Sequence, residues 1–83
     1  MYKIEFTSYA TRKFKKLPKD AQVKILPEIE QLATNPRPIA AKKLVGRSGW
    51  RLRIENYRVI YEILDEILLI EVVEVGHRRE VYR

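Results

Sequence analysis

The chain is short, mixed in composition and strongly basic. Its 83 residues supply apolar material for one hydrophobic core, so we expect a single domain over residues 1–83. There is no cysteine and no apolar run near the roughly 18 residues of a membrane span, which excludes a disulfide framework and a transmembrane protein and favours the cytoplasm. Seventeen Lys and Arg against eleven Asp and Glu give a net charge of +6, which predicts a polyanionic partner, unless the charge serves only solubility.

The first residues predict a strand followed by a short helix. Residues 2–6 alternate between apolar and charged side chains, which is the period of a half-buried strand. Thr7 or Ser8 can cap a helix that ends at Pro18. The apolar stripe of this helix consists of Ala10, Phe14 and Leu17.

A second helix is predicted from about Lys19 to about Thr34. Its core-facing residues are Ile25, Leu26, Ile29, Leu32 and Ala33. Pro27 lies inside this pattern, where it removes a backbone donor and its ring meets the preceding turn, so we expect a kink or a break there. Residues 35–49 contain two prolines and two glycines without a clear period and predict a loop.

Three strands are predicted from Trp50 onward. The segments WRLRI, YRVIYEIL and ILLIEVVEV are rich in β-branched and aromatic residues. Two-residue connections at 55–56 and 65–66 predict antiparallel hairpins in which Ile54 pairs with Tyr57 and Leu64 pairs with Ile67. The predicted fold is an α+β domain of order β-α-α-β-β-β, with both helices on one face of a small, mainly antiparallel sheet. The face under the helices is then formed by Trp50, Leu52, Ile54, Tyr57, Val59, Tyr61, Ile63, Leu68, Ile70 and Val72.

The same register collects arginines on the uncovered face of the sheet. Arg53 is predicted directly opposite Arg58, with Arg51 one step away, and we call the face that carries these three residues the arginine face. Like charges across a strand pair are destabilising and the guanidinium fork suits phosphate, so we predict an anion-binding surface. The alternative is a solvated face on which Glu62 and Glu71 neutralise the arginines, with Glu71 beside Arg51.

The stretch EVGHRREVYR, residues 74–83, holds much of the remaining polar chemistry. Strand alternation alone sends Arg78 to the helix-covered side, and a bend at Gly76 is needed to bring it onto the arginine face. With that bend, we expect His77, Arg78 and Tyr82 to converge with the three arginines on one anion-binding concavity.

The segments WRLRIENYRVIYEI and VGHRREVY resemble the RelE branch of the RelE/ParE toxins of prokaryotic toxin-antitoxin systems. The opening strand, the paired helices ending in Asn-Pro and the KKLVG loop at residues 42–46 extend the resemblance over essentially the whole chain. It implies the microbial-RNase-like RelE fold and a metal-independent endoribonuclease without cofactor. Such an enzyme cuts messenger RNA in the ribosomal A site by attack of a 2′-hydroxyl. The resemblance also implies a cognate antitoxin, through which alone the toxin would contact operator DNA.

The resemblance assigns roles to individual residues. Those expected to be catalytic are Arg58, Arg78, Tyr82 and His77. Those expected to bind RNA or its phosphates are Arg51, Arg53 and Arg79. Well-known members of the family carry lysines at the positions of Arg51 and Arg53, one of them proposed as the general base. Because arginine stays protonated, we predict that His77 takes that part, the alternative being a polar surface histidine.

Two further functions fit the sequence. A ParE-like protein would inhibit DNA gyrase by contact without a catalytic cluster, and the joint presence of Arg58, Arg78 and Tyr82 argues against it. A non-catalytic basic RNA-binding module would need only the positive charge. The favoured prediction is a cytoplasmic ribonuclease toxin that acts on the ribosome and messenger RNA, has no membrane partner, and offers a sheet edge and a basic helix to an acidic antitoxin.

Overall fold

The structure, a computed structural model, describes residues 1–77 of the chain. The helices and strands are β1 (Lys3–Phe6), α1 (Ser8–Lys15), α2 (Lys19–Gln31), β2 (Ala41–Lys43), β3 (Trp50–Ile54), β4 (Tyr57–Leu64) and β5 (Leu69–His77), with a 3-10 turn at Asp65–Ile67. The strands form one sheet in the order β1-β5-β4-β3-β2, in which only the β1–β5 pair is parallel. The predicted α+β fold is therefore confirmed. No helix within residues 1–77 is long and apolar enough to cross a membrane.

The hydrophobic core lies between the two helices and one face of the sheet. Tyr61 at the centre of β4 is fully buried, and its hydroxyl donates to the carbonyl of Pro36 at 2.7 Å. Burial raises the pKa of this phenol to about 12. Trp50 and Tyr57 are partly buried against the same core, as predicted from their place in the strand alternation.

The N-terminal strand and helix follow the predicted pattern. Ile4 and Phe6 pack against the core, whereas Lys3 and Glu5 point outward. Thr7 is the residue that caps α1, since its Oγ1 accepts a hydrogen bond from the backbone N–H of Ala10 at 3.0 Å.

Helix α2 is continuous through Pro27, so the expected break is absent. A proline at this position leaves the carbonyl of Val23 without its helical donor, and Val23 lies on the exposed side of the helix, at 72% exposure. Leu26 was predicted in the core and is 38% exposed. The buried stripe consists of Ala21, Ile25, Ile29 and Leu32.

The predicted loop at residues 35–49 contains a strand. Residues 41–43 form β2, which pairs with β3 and places Ala41 opposite Leu52. The prediction of loop is wrong here because three residues are too few to show an alternating pattern, and alanine and lysine are weak strand formers. The edge strand next to β3 is therefore β2, and β1 forms the other edge of the sheet.

One of the two predicted hairpins is confirmed and the other is wrong. Ile54 pairs with Tyr57 around a tight turn in which Glu55 has a φ of 52°. Leu64, in contrast, pairs with Leu69 instead of Ile67, because the 3-10 turn and Leu68, with a left-handed φ of 52°, lengthen the connection. A shift of two positions preserves the alternation, so Ile70 and Val72 stay in the core as predicted, while Leu68 is 49% exposed.

A β-bulge in β5 changes which residues face the helices. Tyr61 pairs with Val72, but its neighbour Ile60 pairs with Glu74, which leaves Val73 as an extra residue. Beyond the bulge, Val75 is buried in the core and Gly76 is paired with Arg58 on the arginine face. The reversal of faces that was predicted as a bend at Gly76 occurs instead at Val73.

A cluster of polar side chains connects the N-terminus, the loop after α2 and the β4–β5 connection. The Tyr2 hydroxyl donates to one carboxylate oxygen of Asp65, and Arg37 Nη2 donates to the other at 2.8 Å. The hydrogen bond from Arg37 lowers the pKa of Asp65, and the hydrogen bond from Tyr2 lowers it further by a smaller amount. The guanidinium of Arg37 also lies 5.6 Å from the ring centroid of Trp50.

Candidate nucleic-acid interface

Three predicted site residues lie together on the arginine face. Arg53 is the direct partner of Arg58 across the β3–β4 hairpin, and Arg51 is paired with Ile60 on the same face. Their neighbours in sequence, such as Leu52 and Val59, are buried under the helices, so alternation turns the arginines away from the core. The predicted juxtaposition of these three side chains is confirmed.

Arg58 is the most deeply placed of the three. It is only 7% exposed, and its Nε and Nη1 atoms, together with Nε of Arg51, are buried. Arg58 sits on β4 between two strands, and its partner on β5 is Gly76, which has no side chain to compete for the space. A guanidinium held by packing loses little conformational freedom when it binds an anion, so this position favours a preorganised phosphate contact.

Sequence reasoning missed one basic residue of the arginine face. Lys42 on β2 is the direct partner of Arg51, and it is exposed. It escaped notice because residues 35–49 were assigned to a loop, in which no face can be defined. The pair of lysines at 42 and 43 was the only local signal, and it became informative once β2 was known to pair with β3.

The opposite end of the uncovered face is acidic. Glu71 on β5 is flanked by Glu5 on β1 and by Glu62 on β4. Glu62 accepts a hydrogen bond from the Ser48 hydroxyl at 2.8 Å. The predicted proximity of Glu71 to Arg51 is therefore wrong, because the lengthened β4–β5 connection moves Glu71 opposite Glu62. Among residues 1–77, no three side chains of metal-ligating type form a group that could hold an ion.

His77 does not join the arginine face. It pairs with Tyr57, and the two rings meet edge to face with centroids 5.8 Å apart. A cleft of about 300 Å³ on this side is lined by Lys13, Lys16, Leu17, Pro18, Tyr57 and His77. The predicted convergence of His77 with the arginines is wrong. After the bulge at Val73, the side chains of Val75 and His77 lie on the helix-covered side of β5.

The remaining predicted site residues, Arg78, Arg79 and Tyr82, lie outside the described residues. The chain enters that segment directly after Gly76 and His77, and Gly76 is the partner of Arg58.

Comparison with known proteins connects this fold and its basic sheet to one class of toxin. The family model described as the ParE toxin of type II toxin-antitoxin systems, parDE, matches residues 4–82. The mRNA interferase toxin RelE of Escherichia coli K12 is 30% identical over an alignment of 86 positions. That alignment covers 98% of this chain and 90% of that protein. The chain belongs to the ParE toxin family of type II toxin-antitoxin systems, within the RelE/ParE superfamily, and its resemblance to the RelE branch is confirmed.

Solved structures agree with this assignment. A chain of the RelBE2 toxin-antitoxin complex from Mycobacterium tuberculosis is 29% identical, with a TM-score of 0.82 over 93% of this chain and 98% of that chain. The intact E. coli RelBE toxin-antitoxin complex contains a chain with a TM-score of 0.82 at 24% identity, covering 93% of this chain and 96% of that chain. At 24% identity, the likeness to the E. coli complex shows a shared fold alone.

Proposed function

We propose that the protein is the toxin of a type II toxin-antitoxin system and acts as an mRNA interferase, a metal-independent endoribonuclease. The observation that supports this most directly is the buried Arg58, which faces Arg53 on a sheet surface that the helices leave open. A relative 30% identical over 98% of this chain is named as an mRNA interferase toxin. A basic sheet is the kind of surface that binds RNA through its phosphates.

In the proposed reaction, the 2′-oxygen of a nucleotide attacks the adjacent phosphorus and forms a new P–O bond. The bond from phosphorus to the 5′-oxygen of the next nucleotide breaks, which yields a 2′,3′-cyclic phosphate and a free 5′-hydroxyl. Negative charge builds on the non-bridging oxygens in the transition state. We propose that Arg58 and Arg53, with Arg51 beside them on the same face, stabilise that charge.

The family resemblance adds residues from the C-terminal segment to this site. Arg78 is proposed to stabilise the transition state, Tyr82 to stack on or orient a base, and Arg79 to bind phosphate. The 2′-hydroxyl proton must pass to a group other than arginine, which stays protonated. The sequence predicts His77 for this transfer. Because His77 lies beside Tyr57 on the face opposite the described arginines, we do not assign the transfer to it.

The proposal also includes an antitoxin partner and a cellular setting. Two of the solved relatives are toxin-antitoxin complexes, and we propose that a cognate antitoxin likewise binds and inhibits this chain. The exposed edge of β2 and the basic surface of α1 suit an acidic partner. We further propose that cutting occurs in the cytoplasm on messages in the ribosomal A site, and that operator DNA is reached only through the antitoxin.

The test is inducible expression followed by mapping of messenger 5′ ends. Cuts inside codons of translated messages are expected, and they should disappear when translation initiation is blocked. Because the matching family model carries the ParE name, gyrase inhibition is the second candidate, and it would leave messages intact while DNA breaks accumulate. Growth that is unaffected by expression would instead favour a non-catalytic basic module.

Arg78→Ala provides a residue-level test of the same proposal. The substitution should reduce cleavage at least 100-fold, about the loss expected when a preorganised charge-stabilising group is removed. A thermal melt of the variant should match that of the unaltered protein, which separates loss of chemistry from loss of folding. Undiminished cleavage by a folded variant would remove Arg78 from the site.

A further inference from the structure

The edge strand β2 carries two adjacent lysines that point to opposite faces of the sheet. Lys42 is paired with Arg51 and therefore lies on the arginine face. Lys43 is paired with Trp50, and its Nζ lies 5.7 Å from the centroid of the indole ring on the helix-covered side. Two side chains of the same type, one residue apart, thus meet different environments.

Positive charge on the arginine face continues towards β2 and stops in the other direction. From Arg58 on β4 the basic residues pass through Arg53 and Arg51 on β3 to Lys42 on β2. This path crosses two strand spacings, roughly 10 Å, and runs two residues, roughly 7 Å, along β3. At the far end of β4 the same face carries the facing pair Glu62 and Glu71, and beyond it Glu5 on β1, which forms an ion pair with Lys3 at 3.5 Å. A polyanion on this surface is attracted towards β2 and repelled by the pair Glu62 and Glu71.

The loop between β2 and β3 strengthens this asymmetry. Arg47 in that loop lies 3.7 Å from Glu74 on β5, and the side chain of Glu74 is 25% exposed. Arg47 thereby neutralises an acidic residue of β5 that would otherwise sit two strands from Arg51. Lys42 stands at the other end of this row, on the edge strand, with its ammonium group accessible to solvent.

We propose that Lys42 is an RNA-binding residue that holds a phosphate next to the one gripped by the arginines, so that the RNA strand leaves the site across β2. This inference rests on the proposed ribonuclease function and adds the direction in which the substrate runs. A lysine suits the role, because its flexible stem and single charge follow a mobile backbone phosphate without requiring fixed geometry.

The pair Lys42→Gln and Lys43→Gln gives a matched test. Both variants lose one positive charge from the same strand, but only the first loses it from the arginine face. The probe is a fluorescent oligoribonucleotide with 2′-O-methyl groups, which offers its phosphates but lacks the attacking hydroxyl. Affinity is measured over a series of salt concentrations, with thermal melts to show that each variant is folded.

Lys42→Gln should weaken binding about three- to fivefold, the loss typical of one exposed ion pair, and should reduce the slope of log affinity against log salt by about 0.7. Lys43→Gln should leave both quantities unchanged. Lys42→Arg, which keeps the charge, should restore binding.

Equal losses in the two Gln variants, or no loss in Lys42→Gln, would overturn the role of Lys42 while leaving the ribonuclease function intact. A protein that neither binds the probe nor produces new messenger 5′ ends would overturn both proposals together. A Lys42→Gln variant that still cleaves messages in the cell and binds the probe with unaltered affinity would overturn the role of Lys42 and leave the ribonuclease function standing.

Discussion

Arg53 and Arg58 face each other directly across two paired strands, and this arrangement opposes folding. Like charges directly opposite each other destabilise a strand pair. Arg58 adds the desolvation of a side chain that is 7% exposed. The phosphates of RNA, the ligand proposed above, carry the negative charge that a pair of guanidinium groups attracts.

His77 provides a prediction at the same scale. His77→Gln should leave the pH dependence of RNA cleavage unchanged, because the imidazole packs against Tyr57 on the face opposite the arginines. The measurement is the cleavage rate over the pH range in which imidazole titrates. Loss of the ring contact should lower the free energy of unfolding by no more than about 1.5 kcal/mol. A flattened pH profile in a folded variant would return His77 to the proton-transfer step.

At the scale of single elements, the cap of α1 can be tested with neighbouring hydroxyl residues. Thr7→Ala removes the oxygen that accepts from Ala10 N–H and should lower the free energy of unfolding by about 0.5–2 kcal/mol. Ser8→Ala changes the first residue of the helix and should stay within about 0.5 kcal/mol. Urea unfolding of both variants measures the difference, and equal losses would contradict the assignment of Thr7 as the cap.

Elements with a long or clean period could be predicted from the sequence, and the connections between them could not. The β3–β4 hairpin was correct in register because its two-residue turn leaves one way to pair Arg53 with Arg58. β2 was missed because it owes its existence to pairing with β3 and not to its own residues.

The bulge at Val73 explains why Arg51, Arg53 and Arg58 were placed correctly and His77 was not. The alternation of LIEVVEV reverses at the doubled valine 72–73, between Glu71 and Glu74, but valine fits either face of a strand, so this signal was overlooked. The face assignments before it were correct, whereas the position of His77 beyond it was wrong. Lys42 was missed for the different reason that its strand was not recognised.

At the scale of the whole molecule, the cluster of Tyr2, Arg37 and Asp65 links three distant parts of the chain and makes the fold sensitive to acid. The hydrogen bond from Arg37 lowers the pKa of Asp65 in the folded protein. Asp65 therefore contributes stability that is present above the pKa of an unfolded aspartate, about 3.9, and is lost as the pH falls through the lower folded value.

Asp65→Asn should accordingly remove part of the decrease in melting temperature below about pH 4. The control is Glu66→Gln, which alters the next carboxylate of the same 3-10 turn. Melting temperatures of the three proteins along an acid series give the comparison. An acid response of Asp65→Asn identical to that of the unaltered protein would show that the cluster does not set this sensitivity.

The parallel pairing of β1 with β5 also has a consequence for how the protein is made. Strand β1 is synthesised first but can pair only when β5, the last of the described strands, is complete. This pairing therefore joins the two ends of the described chain. Contacts between such distant segments form late, because the loop entropy must be overcome first. A partly translated chain lacks the strand that flanks β4 and supports Arg58. If the protein cuts messenger RNA as proposed, the ribosome that is still translating it is spared.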